Sequence, residues 1–194
     1  MSYDGWIVFG LGNPGPTYAG TRHNVGYLVA DELATRMGAG WKAHTSGRAL
    51  AVEGRLSGMP GVRAVLGRGR CYMNESGGPV SALLKYYKAL PEQLVVIHDE
   101  LDVPYGDLRV KYGGGDNGHN GLKSIRSALG TGDYYRLRLG IGRPPGRQDT
   151  ADFVLTPFSS TQQRELDLHV QRAADAVESL VSDGLELTQN TFNR

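Results

Sequence analysis

The sequence predicts a three-layer α/β fold, a twisted mixed sheet flanked by helices, on three observations. Residues 6–9 and 94–97 are continuous apolar runs bounded by Gly, Asn or Asp, as in strands buried on both faces of a parallel sheet. Residues 135–141 alternate apolar and basic side chains, as in a strand with one exposed face. Segments with helical spacing lie between such runs, and strands alternating with helices form layered α/β domains.

The remaining elements follow from the same two periodicities. Further strands are predicted at residues 49–56, 62–66 and 108–112, and apolar residues at helical spacing predict helices within 25–33, 80–87, 122–129 and 160–182. Ser160 and Gln163 predict a capping box at the start of the last helix. Its apolar stripe should pack on the sheet while its acids face solvent. The tail, residues 186–194, is expected to be poorly ordered.

Length and composition indicate one domain spanning residues 1–194, a size that supports a single hydrophobic core. Cys71 is the only cysteine, which excludes an internal disulfide and fits a reducing compartment. No window approaches the roughly 18 apolar residues of a membrane span, and the N-terminus lacks a signal-peptide pattern. We therefore expect a cytoplasmic protein without a membrane partner.

The net charge of +1 conceals an uneven distribution along the chain. Residues 107–147 carry eight Lys/Arg and three Asp, whereas residues 148–194 carry three Arg and eight acids. A basic region beside an acidic one indicates local contact with phosphate, although two solvated faces that happen to differ explain the charges equally well.

The glycine turn after the first strand, GLGNPG, formally matches a dinucleotide-binding spacing. Pro14 and Pro16 oppose that reading, because they prevent a helix from starting at the turn and force it to begin near Thr21. A dinucleotide site also needs an acid at the end of a second strand, about 20 residues on, to bind the ribose. The acids at that distance, Asp31 and Glu32, lie instead within a predicted helix. The sequence therefore predicts no cofactor.

Four polar residues follow the predicted central strands or begin the first helix. Asn13 and Asp99 come after the two strands, at the edge where open α/β sheets place ligands. His23 and Asn24 fall at the predicted helix start, where the helix dipole disfavours imidazolium and keeps a histidine neutral, as a general base must be. Asp99 could orient that ring, although a histidine at a helix start is more often a cap or a surface residue.

Two glycine-dense loops, CYMNESG and GGGDNGHNG, each supply a further asparagine just before a helix. Loops of this kind bring backbone N–H groups close to an anion or oxyanion. Ordinary turn chemistry explains either loop alone equally well.

Taken together, GLGNPG, TRHNVG, CYMNESG, HDELDVPYG, GHNGLKS and RLRLGIGRP closely resemble the bacterial-type peptidyl-tRNA hydrolase family. The resemblance spans essentially the whole chain in the expected order. It implies a compact α/β domain that hydrolyses the ester between a peptide and the 3′-terminal ribose of tRNA. The chemistry is coherent, because ester hydrolysis needs a water deprotonated near neutral pH and donors for the developing oxyanion.

Matched motif by motif, the resemblance assigns roles to ten residues around this ester. His23 is the catalytic base and Asp99 its partner carboxylate. The substrate-binding residues are Asn13, Tyr18, Tyr72, Asn74 and Asn120. The supporting residues are Asn24, Met73 and His119. Neutral asparagines suit a peptide recognised by its backbone, since an amide pairs with both C=O and N–H groups.

The resemblance also implies how tRNA is held. The resemblance assigns the tRNA 5′ phosphate to Lys111 and Arg138. It also implies that the acceptor stem and the 3′ end of the tRNA contact the protein. Possible neighbouring contacts are Arg109, Lys123 and Arg143. Arg136 and Arg138 alternate onto one strand face, consistent with a phosphate patch. The expected state is a monomer, and residues 113–118 and 142–150 are expected to be mobile and to border the peptide channel.

Two positions depart from the family pattern. A Lys-Pro pair before YMN is replaced by Arg68-Gly69, which should make that approach more flexible. A glycine in the glycine-rich loop is replaced by Asn117, which is tolerable because asparagine adopts the left-handed region more readily than other side chains.

Three alternatives compete with a histidine-activated water. A metal hydrolase is suggested by the crowding of His98, Asp99, Glu100 and Asp102, but strand alternation turns His98 and Glu100 away from Asp99 and no ligand spacing supports a site. A Cys71 nucleophile lacks a clear means of lowering its pKa. An RNA-binding protein without catalysis is the alternative from a different class.

Overall fold

A computed structural model describes residues 2–193 of the chain, and its centre is one seven-stranded sheet. The strands are β1 Trp6–Gly10, β2 Lys42–Ala43, β3 Ala49–Leu56, β4 Val62–Gly69, β5 Leu94–Glu100, β6 Leu108–Tyr112 and β7 Tyr135–Gly140. Their order across the sheet is β2-β3-β4-β1-β5-β7-β6. The four central strands are parallel to one another, and β2, β3 and β6 add antiparallel pairs at the edges.

Six α-helices cover the two faces of this sheet within the described part of the chain. They are α1 Val25–Arg36, α2 Gly77–Tyr87, α3 Asn120–Leu129, α4 Thr150–Val154, α5 Ser160–Asp183 and α6 Leu185–Phe192. Short 3-10 turns precede several elements, at Arg22–Asn24, Met73–Glu75 and Pro91–Gln93. The predicted three-layer α/β fold with a mixed sheet is confirmed.

Alternate residues of the central strands enter two separate cores. In β1, Val8 packs in the core that contains α1 and α5, whereas Ile7 and Phe9 pack in the core that contains α2 and α3. All three side chains are fully buried. Burial on both faces explains the continuous apolar run from which this strand was predicted.

Two glycines bring the start of α1 onto the carboxyl ends of β1 and β5. A Cβ atom at Gly10 would lie 2.3 Å from the Gly26 carbonyl oxygen, and one at Gly26 would lie 2.4 Å from the Ile97 carbonyl oxygen. Neither position has room for a side chain. This close approach places the 3-10 turn before α1 directly over the ends of the two central strands.

Two details at the C-terminal end differ from the sequence predictions. The capping box of α5 uses Ser159 and Gln162, one residue earlier than predicted. The tail expected to be poorly ordered forms α6, whose end is tied to β6 by the Asn193 side chain on Val110. Arg194 lies outside the described residues. Among residues 2–193 no helix is long and apolar enough to cross a membrane.

Candidate active site

The centre of the site is a buried contact between His23 and Asp99. Asp99 is the sixth residue of β5 and is only 3% exposed, and His23 lies in the 3-10 turn that precedes α1. The distance from His23 Nδ1 to Asp99 Oδ2 is 2.8 Å. Because a carboxylate only accepts, Nδ1 carries the proton and Nε2 is the basic nitrogen. The convergence of the two strand ends predicted from sequence is confirmed, since β1 and β5 are neighbours.

A second histidine shares the same carboxylate. His119 Nε2 lies 2.8 Å from Asp99 Oδ1, and His119 Nδ1 accepts from the backbone N–H groups of Gly121 and Leu122. His119 is thus the N-cap of α3, and its proton is held on Nε2. The sequence assigned His119 only a supporting role; its position just before a helix was the available signal for the cap, and nothing in the spacing pointed to Asp99.

These contacts set the protonation of both groups. Burial by itself would raise the pKa of the Asp99 carboxyl, but the two histidines hold it well below its usual range. Burial acts to lower the pKa of His23, and the charge and hydrogen bond of Asp99 outweigh it, so the pKa is raised. The expectation that the helix start keeps His23 neutral is therefore wrong: His23 lies in the turn before α1, and Asp99 raises its pKa, which favours the protonated form.

Asn13 is oriented by two neighbours. Its Oδ1 accepts from the Met73 backbone N–H at 2.7 Å. Asn24 pairs with the backbone of Asn13 in both directions, each bond being 2.8 Å long. Among residues 2–193 no group accepts from Asn13 Nδ2, so this amide presents a fixed donor. Asn24 and Met73, predicted as supporting residues, hold Asn13 in place through these bonds.

The other substrate-binding candidates line the surroundings of this centre. A cavity of about 210 Å³ contains His23, Asp99, His119 and Asn120. Asn120 is exposed as the first residue of α3, and Asn74 is exposed in the 3-10 turn that holds Asn13 through Met73. The rings of Tyr18 and Tyr72 meet edge to face at 6.2 Å. The two loops expected to border the channel reach the cavity through Asn117, Gly118, Arg143 and Thr150.

Within the described chain, one group of side chains could hold a metal ion. His23, Asp99 and His119 offer ligand atoms that all lie within 4.8 Å of one another. The segment suggested by the sequence does not form this group, because His98 bonds the Asp99 backbone carbonyl and Glu100 bonds Arg138. The same nitrogens, His23 Nδ1 and His119 Nε2, each lie 2.8 Å from an oxygen of Asp99, so a metal bound there would replace the two hydrogen-bonded protons.

Cys71 lies apart from this centre. It lines a different cavity, with Arg48, Arg70 and Tyr72, from the one that contains His23. Burial and the nearby Glu75 raise the pKa of its thiol, and Arg48 only partly offsets them. A raised pKa disfavours the thiolate that a nucleophile needs.

The basic residues of β6 and β7 are not equivalent. Arg136, expected on an exposed face, is 1% exposed, and its guanidinium donates to the carbonyls of Gly114, Gly115 and Gly132. The side chains of this strand alternate as predicted, but the glycine-rich loop covers Arg136, so its face is not exposed at that position. Arg138 donates to buried Glu100 at 3.0 and 3.1 Å. Lys111 is partly exposed, and burial lowers its pKa, with Arg138 and Arg136 adding to the effect.

The two departures from the family pattern have clear structural settings. Asn117 has a φ of 48°, as its replacement of glycine predicted, and its amide donates to Glu100 and Asp102. Gly69, expected to loosen its approach, is the last residue of β4 and pairs with β3, and its carbonyl accepts from the Tyr27 hydroxyl. The preceding Arg68 is paired with Asp31 at 3.1 Å.

Comparison with known proteins gives matches along nearly the whole chain. A family model described as peptidyl-tRNA hydrolase matches residues 7–194. The chain is 60% identical to the peptidyl-tRNA hydrolase of Frankia casuarinae over 97% of its length and 93% of that protein. It is 59% identical to that of Streptomyces coelicolor, with 97% and 94% covered. The crystal structure of peptidyl-tRNA hydrolase from Acinetobacter baumannii superposes with a TM-score of 0.88 at 34% identity, covering 98% of this chain and 95% of that one.

Proposed function

The chain belongs to the peptidyl-tRNA hydrolase family, and from that premise we propose that it cleaves the peptide–ribose ester with a water activated by His23. The observation that carries the proposal is the 2.8 Å contact between His23 Nδ1 and Asp99 Oδ2. It directs the basic Nε2 of His23 away from Asp99, on a residue that lines the cavity. A base in this position can take the proton of a water as that water attacks the ester carbonyl.

Asp99 and His119 act through His23. Asp99 holds the ring in the useful tautomer and stabilises the imidazolium that forms when Nε2 accepts a proton. His119 donates to the other carboxylate oxygen and anchors it to the start of α3. Asp99 is therefore held from two sides, which restricts the rotation of its carboxylate.

The asparagines provide neutral donors around the ester. Asn13 has a donor of fixed direction, since Met73 occupies its oxygen. Such a preorganised N–H group suits a developing oxyanion or a peptide carbonyl. Asn74 and Asn120 are exposed and offer both donor and acceptor to the peptide backbone. Tyr18 and Tyr72 supply adjoining aromatic surface.

The tRNA part of the substrate is proposed to lie against β6 and β7. Lys111 and Arg138 would take the 5′ phosphate, with the acceptor stem beside them and the 3′ end directed to His23. Phosphate contacts position a nucleic acid without reading its sequence, which suits an enzyme that acts on many tRNAs. We propose a monomer that uses neither a metal nor an organic cofactor.

Release of free tRNA from a defined peptidyl-tRNA tests this mechanism. His23→Ala should lower kcat by a factor of about 10² to 10⁴, the range for loss of a positioned base, while tRNA binding stays nearly intact. Wild-type protein dialysed against EDTA should keep its activity. A near-normal kcat in the variant would remove His23 as the base, and activity lost to EDTA and restored by Zn²⁺ would assign the His23–Asp99–His119 group to a metal. Binding without any hydrolysis by wild-type protein would favour the RNA-binding alternative.

A further inference from the structure

A groove continues from Asn13 on the side of the site that faces β4 and β3. It consists of two adjoining cavities of about 520 and 440 Å³, which share Pro14 and Arg70 in their walls. The larger arm begins at Asn13 and Asn24, and the smaller arm contains Tyr72. We call these two cavities together the β4-side groove. Volumes of this size are typical of ligand sites.

The β4-side groove lies opposite the proposed tRNA contacts. In the sheet, β4 and β3 lie to one side of β1, whereas β7 and β6 lie to the other side of β5. The substrate has two parts joined at the ester. If the tRNA covers Lys111 and Arg138 on β6 and β7, the peptide leaves the ester toward β4 and β3. The groove is therefore on the path of the peptide.

Two arginines in this groove carry charges without a partner. Arg48 and Arg70 are exposed, and within residues 2–193 neither side chain forms a hydrogen bond or an ion pair. Their backbones are adjacent, since the Arg70 N–H donates to the Arg48 carbonyl at 3.1 Å. Arg68, in the larger arm, differs because Asp31 pairs with it. Glu75 also lines the smaller arm but makes no ion pair with either arginine.

Arg48 occupies a defined place in the wall. A Cβ atom at position 78 would lie 2.2 Å from Arg48 Nη2, so the guanidinium lies directly on Gly78 at the start of α2. On that side the guanidinium rests against the backbone of Gly78, at the wall of the groove.

We infer that the β4-side groove gives this enzyme a preference for peptides that carry an acidic side chain, which Arg48 and Arg70 bind. The inference rests on the proposed function, because the groove acquires a peptide only if the ester lies at His23. Solvated carboxylate–arginine pairs contribute little energy each, so the preference is modest and falls with salt. A lysine in the same peptide position would be disfavoured.

The test uses one tRNA and peptides that share their ester-linked residue and differ at a single inner position, as Asp, Asn or Lys. At low salt, the wild-type kcat/KM should be about threefold higher for the Asp peptide than for the Asn peptide, and lower for the Lys peptide than for the Asn peptide. This difference should appear when the varied residue is at the second, third or fourth position from the ester. Arg48→Gln with Arg70→Gln should abolish the difference, whereas Lys at both positions should retain it. Arg164→Gln removes an exposed positive charge from α5, outside the groove, and should leave the preference unchanged.

Each other result overturns the inference in a recognisable way. Equal rates for the three peptides with wild-type protein would exclude a preference while leaving the hydrolase function intact. If the double Gln variant binds all three substrates and free tRNA more weakly, and to the same extent, the arginines bind RNA phosphate. No hydrolysis of any peptidyl-tRNA would instead refute the proposed function itself. Thermal melting of each variant separates these outcomes from misfolding.

Discussion

At the scale of single residues, one buried carboxylate organises the candidate site. Asp99 accepts one hydrogen bond from His23 and one from His119, and the two histidines use different ring nitrogens for these bonds. His119 has both nitrogens occupied by the protein, because its Nδ1 accepts from α3. Only His23 retains a basic nitrogen for chemistry. This asymmetry agrees with the different roles predicted for the two histidines, His23 as the base and His119 as a supporting residue.

The raised pKa of His23 predicts the pH dependence of hydrolysis. The base works when it is unprotonated, so activity should fall as the pH drops through the raised pKa, with the acid limb above the usual value of about 6.5. Asp99→Asn removes the negative charge and leaves burial to dominate, so it should move the acid limb of kcat/KM to lower pH and reduce the rate by less than His23→Ala does. Arg164→Gln, at an exposed position of α5 away from Asp99, leaves the pair intact and is the control. An acid limb that stays fixed in Asp99→Asn would contradict the proposed pairing.

At the scale of elements, the glycine-rich loop between β6 and α3 is supported from below by Arg136. The guanidinium binds three backbone carbonyls in and beside the loop and stacks on Tyr134, with 4.5 Å to the ring centroid. The same loop carries Asn117, which ties it to Glu100 and Asp102, and it leads to His119. The loop thus connects the buried arginine to the His23–Asp99–His119 group.

Loss of this support should weaken both folding and catalysis. Arg136→Gln cannot reach the three carbonyls, and we expect the free energy of unfolding in urea to fall by about 3 kcal/mol, because buried acceptors lose charged donors. Cleavage by protease within residues 113–118 should accelerate, and kcat should fall with His119 less well placed. Arg164→Gln, at an exposed position of α5 away from this loop, is the control. Unchanged stability in Arg136→Gln would mean that the loop is held by other contacts.

At the scale of the whole molecule, the uneven charge of the sequence is only partly displayed on the surface. Arg136 is buried and Arg138 is paired with Glu100, so part of the basic segment is used within the protein. Some acids of α5 are used likewise, since Asp175 and Glu178 bind Arg36 of α1 at 2.8 and 3.2 Å. Asp175 is exposed, as expected for an acid of α5, whereas Glu178 is only partly exposed, and both carboxylates also pair with Arg36.

Lys111 is therefore a better probe of tRNA binding than Arg138, whose removal would leave the buried Glu100 carboxylate without its ion pair. Lys111→Ala should raise KM for full-length peptidyl-tRNA and spare a minimal ester that lacks the acceptor stem. The slope of log KM against log salt concentration should decrease by about one, the change expected for the loss of one phosphate contact. Lys85→Ala, on an exposed part of α2, should change neither value. Equal losses on the two substrates would contradict a phosphate role for Lys111.

The sequence by itself determined the order and type of the main elements, because their apolar spacing reports burial within each segment. It also predicted His23, Asp99 and the asparagines as site residues, from their places at strand ends and helix starts and from the resemblance of their motifs, and it predicted that Asp99 pairs with His23. Only the tertiary structure decided which other polar groups meet. The contact of His119 with Asp99 and the burial of Arg136 join segments far apart in the chain, and local periodicity carries no information about such partners. A buried polar group is stable only with those partners, so its position depends on the complete fold.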